Sequence, residues 1–263
     1  MTESEWLACT DPEPMIRFLH HQRKRAGTWL GHVFSWLGRP PFAVSDRKLR
    51  LFVCAFFRGH WQQFIEERDR RAIAVAEAHA DGLAGEWELR AALEAVRQRE
   101  PLGAREDRPP PAYWATSACL YPPGTVGDPF DYPKPNPLQA VLSVAYAIAH
   151  DTVPAPGNSE AKMSEWQAVL DAECQKAAML LREVIGNPFR SLAVEPPWLA
   201  WDRGVISEVA RSIYEENRFE DLLILADALE DAGCMNADIL DHCRGPGPHV
   251  RGCWVVDLIL GKE

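Results

Sequence analysis

No stretch of this sequence is apolar for the roughly 20 residues that a membrane-spanning helix needs. A membrane span is therefore not expected. The opening Met1-Thr2-Glu3-Ser4-Glu5-Trp6 is acidic and lacks the apolar core of a secretory leader. Seven cysteines (9, 54, 119, 174, 234, 243 and 253) form an odd set without a compact disulfide framework. Together these point to a cytoplasmic protein with reduced, mainly buried thiols. A phosphate-cradling Gly-rich loop, a Gly-x-Ser-x-Gly elbow and a His-Glu-x-x-His pair are missing too, which removes three common enzyme classes. Alternating strand patterns are also lacking, with 250–256 the best place for an exception.

Positive charge is scarce in the second part of the chain. Residues 1–100 carry 15 Lys and Arg against 14 Asp and Glu, whereas residues 101–263 carry 13 against 24. Residues 215–241 hold nine acids and one base, Arg218. Such a face repels phosphate backbones, so nucleic-acid binding is disfavoured. Arg23-Lys24-Arg25 and the later Arg47, Lys48 and Arg50 are the only counter-signal, and runs this short usually form solvated surface.

What is present suits a core. The 263 residues are 47% hydrophobic and include ten Trp and ten Phe. Ser45-Asp46 caps a strong helix in which Leu49, Val53, Phe56, Phe57, Trp61 and Phe64 recur mainly at steps of three and four. Further helices are expected over 15–21, 68–80, 86–99, 137–150 and 159–185, with a helical turn at 113–120. A helical hairpin is expected from 205–217 and 222–232. The segment 27–44 reads as an aromatic, Pro-broken insert or short helix, and 196–201 as an extended aromatic strap. The fold class is all-α: an irregular domain of about nine to eleven helices with Pro-rich loops. Residues 1–100 are expected to form an N-terminal helical region, 101–157 a Pro-rich variable connector with one buried helix, and 158–263 a C-terminal helical region, all parts of one continuous unit.

Reactive side chains crowd together only in the loop holding His242, Cys243, His249 and Cys253. Those four could ligate zinc, although adjacent His-Cys rarely converges on one ion and paired two-residue spacers are lacking. Cys243 and His249 could form a thiol–imidazole pair, but a helix carboxyl end raises a thiol pKa. The favoured expectation is structural and metal-free, with no cofactor. The thiols act as small apolar groups, His242 caps a helix end, His249 bonds to backbone, and Gly245 takes a left-handed conformation. Trp254 is expected in the core. Glu215, Glu216, Glu220 and Asp221 lead the acidic set and could meet a basic protein surface. His20, His21, His32, His60, His79 and His150 have no ligand spacing.

Several blocks carry a resemblance: MTESEWLACTDP at 1–12, SDRKLRLF at 45–52, GNPFR at 186–190, LADALEDAGC at 225–234 and HCRGPGPHVRGCW at 242–254. They resemble a large paralogous family of planctomycete bacteria. The likeness covers both ends, with 20–44 an added segment and 101–157 variable. It implies no reaction, cofactor or site, but large paralogous expansion fits an interaction role better than one metabolic step. The expected function is a non-catalytic interaction or adaptor domain for a basic protein partner. The alternative is a Cys/His-dependent enzyme or zinc protein centred on 242–253.

Overall fold

Local signals place the first helices, as a computed structural model shows. It describes residues 1–26, 44–61, 66–98, 137–153 and 159–262. The expected turn at 113–120, Phe64 and nearly all of the 27–44 insert lie outside them. Thr2 opens α1 (Glu3–Ala8) with a capping box. Its hydroxyl accepts the Glu5 N–H at 3.2 Å, and the Glu5 carboxylate accepts the Thr2 N–H at 2.7 Å. Trp6 and, from α2 (Pro12–Ala26), Met15 and Leu19 are buried. Ser45 caps α3 (Asp46–Arg58) as expected, through the Lys48 N–H. Leu49, Val53, Phe56 and Phe57 are buried along its stripe.

Sequence neighbours then pack in order. α3 meets α4 (Glu67–Ala80), and α4 meets α5 (Glu86–Arg97). α6 (Pro137–Thr152) packs on α2 and α3. Among the described residues every regular element is helical, so the fold is all-α. The later basic residues are not all solvated surface as expected. Arg50 is buried, and Arg47 pairs with Asp81 at 3.2 Å with both side chains largely covered.

The chain divides into two compact units, Met1–Met179 and Leu180–Glu263, and the division falls within α7 (Glu160–Ile185). The second unit bears the candidate site. Residues 196–201 are not an extended strap. Pro196 and Pro197 occupy the first turn of α8 (Pro196–Ala200), where their missing N–H groups cost nothing. Trp198 is thereby turned into the core. A 3-10 turn, Trp201–Gly204, leads into α9 (Val205–Glu216) through left-handed Asp202, Arg203 and Gly204.

The expected hairpin is present: α9 packs on α10 (Leu222–Asp231). Its buried stripe is Ile206, Ala210, Ile213 and Tyr214, one step round from Val205 and Val209, which are only half-buried. α10 buries Leu222, Leu225, Ala226 and Leu229. α11 (Ala237–Arg244) packs on α10, and α12 (Trp254–Leu260) on α9 and α11. Val255, Val256 and Ile259 of α12 are buried, whereas Trp254 is only half-buried, a correction to its expected place in the core.

Candidate functional site

Four side chains converge in the second unit: Glu183, His242, His249 and Cys253, with one ligand atom of each within 4.8 Å of the others. They come from four places in the chain. Glu183 sits in the last turn of α7, and His242 lies in α11. His249 is in the connecting loop, and Cys253 is the N-cap residue of α12. Pro246 and Pro248 restrict that loop while Gly247 turns it at φ 82°. A Cβ on Gly247 would lie 2.7 Å from the His249 backbone nitrogen, so only glycine lets His249 fold back toward α11. Gly245 is not left-handed as expected. Its φ is −69° and ψ 164°, an extended conformation, and the left-handed work falls to Gly247 and Gly252.

Hydrogen bonds fix the protons. Trp254 donates its indole N–H to His242 Nδ1 at 3.0 Å. A neutral His242 therefore carries its proton on Nε2, which lies 3.2 Å from Cys253 Sγ and 3.4 Å from Glu183 Oε2. His242 does not cap its helix with its ring, as expected; the ring turns into this cluster. Burial holds its pKa below the usual value, reinforced by the charge of His249 and opposed by Glu183.

His249 behaves in the opposite way. Its Nε2 donates to the Gly245 carbonyl at 3.1 Å, and its Nδ1 lies 3.2 Å from Glu183 Oε2. Both nitrogens thus face acceptors, which suits the imidazolium. Burial pulls its pKa down, but Glu183 and the Gly245 carbonyl overcome this, and the net shift is upward. Glu183 and Cys253 are fully covered. The Cys253 thiol is pushed well up by burial and by the charge of Glu183.

Cys243 is not part of this set. Successive helical residues point about 100° apart, and Cys243 points into the apolar core with Cys234 while His242 faces the cluster. Burial pushes its thiol up to about 12, the wrong direction for a nucleophile. Glu183 takes the fourth place, 59 positions before His242 in the sequence. Its one local signal is a charge within the apolar run Leu180-Leu181-Arg182-Glu183-Val184-Ile185.

The acidic hairpin is less bare than its composition implies. Glu215, Glu216 and Glu220 are exposed, and Asp221 is half-buried. Glu216 and Asp221 each lie 3.4 Å from Arg218, Arg244 reaches Asp227 and Glu230, and Arg190 reaches Asp238. His60 pairs with Glu173, and His79 bonds to the Ala84 carbonyl, so neither joins a ligand cluster among the described residues. Comparison of the chain with protein-family models, with curated proteins and with solved structures finds no match.

Proposed function

We propose that the C-terminal unit is a non-catalytic protein-interaction module whose partner presents a basic surface with apolar side chains. The carrying observation is the outer face of α10. Leu223 and Ile224 are 55% and 56% exposed, although the same helix buries four other apolar residues. Asp227 lies one turn after the pair on the same helix, and Glu220 lies in the 3-10 turn Phe219–Asp221 just before it, so acids stand on both sides of the apolar pair along the chain. Apolar anchors inside a charged rim are a usual interface design, and the acidic rim would steer a basic partner. Thiols raised by burial speak against a nucleophilic enzyme.

The test is capture of a partner by the full chain at low and high salt. Leu223→Ser/Ile224→Ser should reduce retention at both salts, and Glu215→Lys/Glu220→Lys mainly at low salt. A partner held equally by both variants would show that this face is only solvated surface.

A further inference from the structure

We propose that Glu183, His242, His249 and Cys253 bind a divalent metal ion, with zinc the best-fitting occupant, in contrast to the metal-free loop expected from sequence. The ligand atoms are a Glu183 carboxylate oxygen, His242 Nε2, His249 Nδ1 and Cys253 Sγ. Three of their separations are 3.2, 3.2 and 3.4 Å. A tetrahedral zinc ion with its usual bond lengths holds its donors about 3.3–3.8 Å apart. Two imidazoles, a thiolate and a carboxylate are all common zinc ligands.

Charge supports the same occupant. A thiolate and a carboxylate cancel the two positive charges of the ion, so the loaded site is neutral. The ion therefore brings no net charge into a covered place. Loading sends the Cys253 thiol proton and the His249 Nδ1 proton to solvent. The Gly245 carbonyl already holds His249 Nε2–H, so Nδ1 is the nitrogen presented to the ion. With four protein donors the site is closed. Its work would be to tie the end of α7, α11 and the start of α12 together, independently of the acidic hairpin.

Trp254 opposes loading. A metal on His242 Nε2 moves the imidazole proton to Nδ1, which then faces the indole N–H. One of these two donors must turn away. The indole has little room, since it packs against Gly186, where a Cβ would meet its Cγ at 3.0 Å. Trp254 therefore sets the affinity of the site without ligating.

The experiment uses the full chain, stripped by a chelator and titrated with Co²⁺ and then Zn²⁺. We expect one Co²⁺ per chain, with thiolate-to-cobalt charge-transfer absorption and tetrahedral visible bands that Zn²⁺ abolishes. His249→Ala and Glu183→Gln should weaken binding by more than the roughly 10–100-fold typical of an outer-shell change. Cys253→Ser should remove the charge-transfer band, and Cys243→Ser should keep it. Trp254→Phe should bind about tenfold more tightly, because loading no longer has to break the indole–imidazole hydrogen bond. A folded wild-type chain without the cobalt spectrum overturns the proposal even where a variant fails to fold, and so does a charge-transfer band that survives in Cys253→Ser. Unchanged or weaker binding by Trp254→Phe overturns the role given to Trp254.

Discussion

Two buried glutamates ten positions apart on α7 each take a histidine, with different consequences. In the first unit, His60 reaches the Phe56 carbonyl through Nδ1 and Glu173 through Nε2, both at 2.7 Å. Lys176 supplies a cation to Glu173 at 2.7 Å. Burial would raise the Glu173 carboxyl, but His60 and Lys176 overcome this and hold it below its usual value. Glu173 thus has a complete ion pair in Lys176. In the second unit, His249 and the Gly245 carbonyl repeat the His60 pattern at Glu183. No lysine follows; a second imidazole and a thiol close in instead. A histidine–glutamate pair alone is thus ordinary structure. Replacing the ammonium by two neutral, soft donors is what makes a cation site.

The largest expected effect breaks this comparison directly. In metal-free protein Glu183→Gln should cost roughly 2–3 kcal/mol, below the usual 3–5 for a broken buried pair, because His249 can shed its proton. In zinc-loaded protein it should also lose the metal-linked part of the stability. Chelator should then lower the melting temperature of the wild type and of Glu173→Gln, and leave Glu183→Gln unmoved. Equal chelator shifts in all three would erase the distinction between the two glutamates.

Gly186→Ala ranks next, at about 2–3 kcal/mol, since it adds strain at a left-handed residue to overpacking against an aromatic ring. The φ of Gly186 is 74°, and the new Cβ would press on Trp254. Denaturant unfolding measures this. The comparison sharpens if Gly186→Ala also moves the Trp254 indole N–H resonance, because that indole is held on His242.

Much of the fold was legible from short-range chemistry. Ser45 before Asp46, the α3 stripe, and Gly186-Asn187-Pro188 after α7 each act within a few residues, where spacing carries the signal. The hairpin was legible for the same reason. The site was only half visible. His242, His249 and Cys253 sit within twelve residues of one another, so their crowding could be seen. Glu183 could not, because its pairing depends on how the end of α7 meets α11, a long-range contact with no sequence period. The choice of Cys253 over Cys243 also needed the helix phase. Gly245 and Gly247 differ only in how Pro246 and Pro248 set the path, and composition does not separate them.

The next prediction uses the opposite shifts of the two site histidines in chelated protein. His249 is raised in the fold, so its contribution is full below the unfolded value of about 6.5 and is lost as pH rises through the folded value. His242 is lowered, so its contribution is present above the unfolded value and is lost as pH falls through the folded one. The wild type should therefore show opposing slopes near neutral pH. His249→Asn should leave only the loss on the acid side, and His242→Gln only the loss on the alkaline side. Urea unfolding across pH measures both, and slopes of the same sign in the two variants would refute the proton assignment.

The smallest effect on stability is expected on the acidic hairpin, where the comparison extends from buried to exposed carboxylates. Glu215, Glu216 and Glu220 face water, and Glu216 shares Arg218 with Asp221 at ion-pair distances in an exposed setting. Such pairs contribute at most about 1 kcal/mol. Reversing all three to Lys should therefore change unfolding free energy by no more than about 1.5 kcal/mol in all, about 0.5 kcal/mol for each surface substitution. Partner association should respond instead. The on-rate should fall and lose its salt dependence, because rim charges act on encounter more than on the docked complex. Stopped-flow binding at two ionic strengths, with unfolding measured in parallel, separates the two readouts. If the triple reversal markedly lowers the unfolding free energy while the on-rate of the folded chain stays unchanged, these carboxylates support the fold, and the division between a buried stabilising cluster and an exposed steering face fails.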